Sequence, residues 1–365
     1  MSRGYGAQFE GASSMAAVEL AGLTVRISGS TVLDDICLCV DDGELMGVIG
    51  ESGSGKTTML RAIAGLTKLS SGTVRIGGVD VTKVEPSGRD VSMMFQKPAL
   101  LPHRDVLGNV AFPLEVHHEL AAQIASRVTA ETRALHIESL LSRNPAQLSS
   151  GERQLVQMAR AMVRTPSVML LDEPLARLDA AMTQQLRLDL HALQRGYGVT
   201  TLLATSDPVE AMTMPDRIVV LEGGRIAQVD TPIDVYERPV TLVAAACTGD
   251  MSMVDVRIEG DADGLWLVHP AFRRHAPQHL GDYVGATVVM AMRPSWAHLE
   301  PDGLVAAVVT EASPGSGTIT VALDAGGHTD YVVIRVASLG HRRGDRVAFD
   351  IDEVAVFDPT TGTRL

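Results

Sequence analysis

Residues 50–57 read Gly-Glu-Ser-Gly-Ser-Gly-Lys-Thr, and no other stretch of the chain restricts its fold as tightly. The pattern is GxxxxGK[ST]. Its glycines let backbone N–H groups close around phosphate oxygens through torsions that a side chain would oppose. Just before it, residues 45–49 form an almost continuous apolar run, the mark of a strand buried on both faces of a sheet. Just after it, Met59, Leu60, Ile63 and Leu66 recur at helical spacing, so a helix N-terminus adds its partial positive charge to the loop. Strand, glycine-rich loop and helix in that order predict an α/β domain. In such a loop Lys56 would bridge the β- and γ-phosphates of a nucleotide, and the Thr57 hydroxyl would hold Mg2+. Gly50, Glu51, Ser52, Gly53, Ser54, Gly55 and Thr58 would complete the cradle. Of the 31 basic residues only Lys56, Lys68, Lys83 and Lys97 are lysine, so a motif that demands lysine has few chances to arise by accident.

The chain has 365 residues, enough for about two domains that each bury a core. With 34 glycines, 17 prolines and 45% hydrophobic residues it is neither collagen-like nor disordered. A polar Gly/Ser-rich start predicts a disordered tail over 1–17, in which Met15 can be the original start. The nucleotide-binding domain is expected over 18–244. It opens with strands at 18–27 and 31–40, and helical spacing between 107 and 144 predicts an inserted helical subdomain at about 97–164. Leu155, Met158, Ala159 and Met162 predict a helix that Pro166 closes. After residue 245 the texture turns to eight short β runs separated by Gly, Asp and Pro, which predicts a small all-β domain over 245–365. Trp266 and Trp296 both fall there, so the two halves should have separate cores.

A formal net charge of −13 argues against nucleic acid as a partner, since a sequence-independent binder needs a basic face. Cys37, Cys39 and Cys247 form no CxxC pair and are expected as buried thiols in a reducing compartment. His269, His275 and His279 lack metal-ligand spacing and are expected at the surface. No apolar run approaches the ~20 residues that cross a bilayer, and the start lacks the features of a signal peptide.

A second apolar run, 168–171, ends in Asp172-Glu173. There Asp172 can hold the hydration shell of Mg2+, and Glu173 can orient or deprotonate an attacking water. Upstream, Leu148-Ser149-Ser150-Gly151-Glu152 resembles the signature motif of ABC transporter ATPases. Phe95-Gln96 is similar to that family's Q-loop and Leu178-Asp179 to its D-loop. The resemblance implies a P-loop, RecA-like ABC nucleotide-binding domain in which two chains sandwich two ATP molecules head to tail. Ser149 and the Gly151 N–H would then face the ATP of the opposite subunit, Gln96 would contact Mg2+ and water, and Asp179 would lie at the dimer interface.

Met94-Phe95-Gln96, Leu101-Pro102-His103, Val209-Glu210-Ala211-Met212, Met292-Arg293-Pro294 and Phe357-Asp358-Pro359 are similar to the maltose-type importer ATPases. That branch implies a C-terminal OB-like regulatory domain of TOBE type, which either dimerises or senses a ligand. It implies as partners a second ATPase subunit in a homodimer or heterodimer, two transmembrane permeases and, through them, an extracytoplasmic solute-binding protein. It also implies ATP and Mg2+ as cofactors and a peripheral place at the cytoplasmic face of the membrane. Iron, polyamine and sulfate importers share the layout, so sugar is the softer part of the expectation.

Four residues at three places depart from the family pattern. Ser206 stands where a histidine normally reaches the γ-phosphate, although Asp207, Pro208 and Glu210 still read as N-cap, first-turn proline and first-turn acid. It either meets the phosphate through water or is a turn residue only. In the signature, Ser150 replaces a glycine and Glu152 a glutamine. Ile27 stands where an aromatic usually stacks on adenine. The expectation is that ATP binding and dimer closure survive while hydrolysis is slow; the alternative is a regulatory subunit that barely hydrolyses.

Overall fold

The computed structural model describes residues 16–176, 178–313, 315–337 and 340–365. These divide into two compact units at 235/236. The expected tail lies outside the described residues except for its last two, and those two are not tail-like: Ala16 is buried and the Ala17 carbonyl accepts from Gly77 N at 2.9 Å.

In the first unit the chain runs through β1 (Val18–Ile27), β2 (Ser30–Val40), β3 (Leu45–Gly50), α1 (Lys56–Ile63), β4 (Ser71–Ile76), β5 (Val79–Asp80) and β6 (Val91–Met94). Three helices follow, α2 (Val106–Val116), α3 (Ala121–Ala134) and α4 (Ser150–Met162). It continues through β7 (Val168–Asp172), α5 (Ala180–Tyr197), β8 (Thr200–Ala204), α6 (Pro208–Thr213), β9 (Arg217–Glu222) and β10 (Arg225–Asp230). A four-stranded antiparallel sheet has the order β2-β1-β4-β5, and a six-stranded sheet has the order β10-β9-β3-β8-β7-β6. In the larger sheet only the β10–β9 pair is antiparallel.

Every residue of β3, β7 and β8 is buried, as the place of central parallel strands requires, including Thr200 and Thr201 of β8. Alternation along β7 sends Val168 and Leu170 to one face of the sheet and Met169 and Leu171 to the other. The first face packs on α1 and the antiparallel sheet, the second on α2, α3, α4 and α5. Truncating a fully buried leucine such as Leu170 to alanine costs about 2–5 kcal/mol at such sites. The register pairs Met94 with Leu171, Asp172 with Ala204 and Val48 with Ala204, so the loops after β3, β6, β7 and β8 leave one edge together. That carboxyl edge is where open α/β sheets bind ligands.

Cys37 and Cys39 correct the expectation of buried thiols. Ile36, Leu38 and Val40 of β2 point into the core, so the period of two turns both cysteines outward, while Cys247 is half-buried.

The second unit begins at 236, within α7 (Pro232–Glu237), nine residues before the expected boundary. Arg293 explains the difference. Its guanidinium is fully buried, donates to the carbonyls of Tyr236, Ala245 and Gly249 and to Thr248 Oγ1, and stacks on the Tyr236 ring at 3.9 Å. The segment around α8 (Leu242–Cys247) is thereby fastened to the β domain, and Leu242 N and Val240 O also bond to Gly362 and Arg364. Burial, opposed by the Tyr236 and Asp250 charges, holds the Arg293 guanidinium down at about 10.

The strands of this unit are β11 (Ser252–Asp261), β12 (Gly264–His269), β13 (Phe272–His275), β14 (Thr287–Met292), β15 (Ala297–Leu299), β16 (Val305–Ser313), β17 (Thr318–Asp324), β18 (Thr329–Arg335), β19 (Arg346–Ile351) and β20 (Ala355–Phe357). They form two five-stranded antiparallel sheets, β13-β12-β11-β14-β20 and β15-β19-β16-β17-β18, around one core. Eight of the ten coincide with the β runs of the sequence; β13 (Phe-Arg-Arg-His) and β15 (Ala-His-Leu) carry no apolar run. His269 corrects a second expectation, because it is buried: its Nε2 faces Asp330 Oδ2 at 3.0 Å and its Nδ1 accepts from Ala271 N. His275 and His279 are exposed.

Candidate nucleotide site

Gly50 adopts φ +148°, and a Cβ there would stand 2.3 Å from the Leu221 carbonyl oxygen, so only glycine lets the chain leave β3 in this direction. Gly55 adopts φ +108°, and its Cβ would strike Leu33 of the β1–β2 hairpin at 2.6 Å. No side chain caps α1 and its first turn holds no acid, so its leading N–H groups are left for a ligand. The Lys56 ammonium donates to the carbonyls of Gly50 at 2.7 Å and Glu51 at 3.0 Å, inside the loop it would serve. Thr57 Oγ1 donates to Asp172 Oδ1 at 2.9 Å. Burial pushes the Asp172 carboxyl up, the Thr57 hydrogen bond opposes this, and the Glu173 charge adds to it. An uncapped helix start, a lysine and hard oxygen donors fit a nucleotide phosphate with Mg2+. Ser54 is buried with its Oγ unpartnered, Glu51, Ser52 and Gly53 are exposed, and Thr58 is half-buried. Ile27 stands on the same hairpin, 48% exposed.

The loops after β6, β7 and β8 converge on Glu173. Gln96 Nε2 donates to Glu173 Oε2 at 2.7 Å, and Ser206 Oγ donates to Oε1 at 3.2 Å. Glu173 is itself in the left-handed region at φ +49°, a conformation that costs a non-glycine residue roughly 1 kcal/mol or more. Its backbone is held on both sides: Glu173 N donates to the Ala204 carbonyl at 2.9 Å, and its own carbonyl accepts from Gln154 Nε2 at 3.2 Å.

The signature segment is organised by its helix. Ser149 caps α4 by accepting from Glu152 N, and Glu152 Oε2 accepts in return from Ser149 N at 2.7 Å, closing a capping box. Glu152 Oε1 also lies 3.3 Å from Arg143 Nη1. The extra carboxylate therefore turns back into its own helix cap, and the Ser149 N–H holds it below the usual glutamate range. A Cβ on Gly151 would sit 3.1 Å from Leu178. Asp179 caps α5 through Met182 N. Asp207 caps α6 through Val209 N with Pro208 in the first turn, as the residues predict, and burial pushes the Glu210 carboxyl in that turn up to about 7.

Lys56, Thr57, Gln96, Asp172, Glu173 and Ser206 are thus drawn together by one sheet edge. Ser149, Gly151 and Asp179 are not tied to them by any hydrogen bond found among the described residues. Sequence reasoning missed Gln154, Gln157 and Arg160 of α4, which bond to the loops of this cluster. Their signal was a polar residue at every third position of a helix whose other inward positions are apolar.

Residues 33–176 match the ABC transporter family model. Over 376 residues the chain is 37% identical to the sn-glycerol-3-phosphate import ATP-binding protein UgpC of Cupriavidus necator, covering 96% of this chain and all of that protein. The UgpC of Chromohalobacter salexigens is 43% identical over 258 residues, 70% of each chain. Among solved structures, the dimeric post-hydrolysis state of the ATP-binding cassette MJ0796 bound to ADP and Pi superposes with a TM-score of 0.55 at 26% identity, covering 59% of this chain and 98% of that one. The chain belongs to the ABC transporter family, as an ATP-binding, energy-coupling subunit of an importer.

Proposed function

We propose that this subunit hydrolyses ATP through Glu173, slowly because Ser206 has no donor to spare for the phosphate. As an importer ATPase it works with ATP and Mg2+ at the cytoplasmic face of the membrane, beside a second ATPase subunit, two permeases and, through them, a solute-binding protein. In the proposed reading Lys56 and the N–H groups of residues 50–58 hold the phosphates. Mg2+ supplies charge neutralisation on the phosphate oxygens, with Thr57, Asp172 and Gln96 as its holders. Glu173 takes the proton of the attacking water. Ile27 packs on the base, and Ser149, Gly151 and Asp179 face the partner's nucleotide.

The observation that carries the reading is the hydrogen bond from Ser206 Oγ to Glu173 Oε1 at 3.2 Å. A hydroxyl has one proton, and here it is spent on Glu173; a histidine offers a second ring nitrogen and a longer reach. Ser206→Ala and Ser206→His separate the roles in steady-state ATPase assays. The histidine variant should gain about tenfold in kcat, the worth of one hydrogen bond of about 1.4 kcal/mol. No gain removes Ser206 as the limiting feature. We further propose a small polyol phosphate or carbohydrate as the solute, on the support of the relatives' names. ATPase of the complex reconstituted with its permeases should rise with sn-glycerol-3-phosphate or a sugar, and not with spermidine, ferric iron or sulfate.

A further inference from the structure

Helix α4 carries Gln154, Gln157 and Arg160 at every third position, and each donates to a backbone carbonyl of a loop in the Glu173 cluster. Gln154 Nε2 donates to the carbonyls of Glu173 and Pro174. Gln157 Nε2 donates to the Phe95 carbonyl at 3.0 Å, one residue before Gln96. Arg160 Nη2 donates to the Ala99 carbonyl at 2.8 Å. The loop after β6 is therefore held at Phe95 and at Ala99, with Gln96 between. Gln154 is 0% exposed and Gln157 2%, and at that depth the Nε2 of each finds its partner while the Oε1 of each has none among the described residues.

The Phe95 carbonyl and the Gln96 N–H belong to one planar peptide unit. A bond that fixes the carbonyl also fixes the plane from which the Gln96 side chain springs, and that side chain donates to Glu173 Oε2 at 2.7 Å. The far side of the pair is gripped by the same helix, because the Glu173 carbonyl accepts from Gln154 at 3.2 Å. Helix α4 begins at the signature segment, so the element that would meet the partner's nucleotide also sets the geometry of this chain's own water-handling group.

We propose that Gln157 is a positioning residue for hydrolysis: through the Phe95 carbonyl it holds Gln96 against Glu173. This rests on the reading of Gln96 and Glu173 given above. Arg160 pins the other end of the loop, whereas Gln157 acts next to the functional side chain.

The test is single-turnover hydrolysis of radiolabelled ATP by the full-length chain in excess, with nucleotide affinity measured separately. Wild type, Gln157→Ala, Gln96→Ala and the double variant form a cycle. Gln157→Ala should slow the single-turnover rate about three- to tenfold, the worth of one hydrogen bond, with nucleotide affinity unchanged. In the Gln96→Ala background it should have no further effect, because the group it positions is gone. Gln157→Met keeps roughly the length and volume, lacks any donor and should reproduce the loss; it stands in if the alanine variant does not fold. Wild-type rates for both Gln157 variants, or an equal fall in both backgrounds, overturn the proposal. A wild-type rate for Gln96→Ala overturns the reading of the Glu173 cluster, and the proposal with it.

Discussion

The phosphate loop and the Glu173 cluster stand on the same carboxyl edge of one sheet, yet they are built from different material. The loop is backbone: φ +148° at Gly50, φ +108° at Gly55 and a helix start that no side chain caps. The cluster is side chain: Gln96, Glu173 and Ser206 meet tip to tip from three loops. A backbone site tolerates almost no change, because each glycine is there for a torsion or a close approach. A side-chain site drifts one residue at a time. Here the loop matches its motif at every position, while the departures of this chain are side chains, Ser206 in the switch loop, Ser150 and Glu152 in the signature and Ile27 on the β1–β2 hairpin.

The largest effect should follow from Gly50→Ala. Its Cβ would stand 2.3 Å from the Leu221 carbonyl oxygen, so β3 or β9 has to shift. Loss of nucleotide binding by about a hundredfold or more and destabilisation of roughly 2–4 kcal/mol are expected, read by nucleotide titration and thermal unfolding. Wild-type affinity in that variant would show that the loop is not the rigid backbone cradle described. Glu173→Gln spares binding and fold: it keeps the shape and removes the proposed base. Hydrolysis should fall by about 10²–10⁴ while ATP affinity stays within about twofold. If affinity collapses as well, the two halves of the site are not separable.

The same contrast explains what the sequence revealed. Gly-Glu-Ser-Gly-Ser-Gly-Lys-Thr was legible because a backbone site needs glycine, and glycine shows in a sequence. The buried strands β3 and β7 were legible because parallel strands between two layers must be apolar on both faces, whereas β8 opens with Thr200-Thr201 and shows no such run. Cys37 and Cys39 were misread because thiols are commonly buried, whereas the alternation of β2 had already assigned them outward. His269 was misread because its partner Asp330 is far away in sequence, and no spacing rule reaches that distance. The boundary at 235/236 was missed for a similar reason: the residues that fasten 236–250 to the β domain are Arg293, Gly362 and Arg364. Gln157 was hidden because a buried polar residue at every third position of α4 resembles a solvated face, and its partner Phe95 lies far away in sequence.

The smallest expected effect tests whether drift in the signature loop has a cost. Glu152 brings a negative charge to a segment that would face the partner's triphosphate, and in open geometry it would repel the ligand. In the structure its carboxylate instead accepts from Ser149 N at 2.7 Å and lies 3.3 Å from Arg143. Both partners favour the charged form, the first by a backbone hydrogen bond that is the main cause of its depressed pKa. The sign follows: this contribution to stability is present above the usual glutamate pKa and fades as the pH falls through the lower folded value. Gln at the same position keeps the box and loses the charge, so Glu152→Gln should leave ATP affinity and turnover within about twofold and change stability by less than about 1 kcal/mol at neutral pH. A large gain in ATP-driven dimerisation, measured by size-exclusion chromatography with ATP and Glu173→Gln as the hydrolysis-blocked background, would mean that the carboxylate leaves the cap when the dimer closes. In that case the signature loop, like Ser206, would be a site where this chain has given up nucleotide contact.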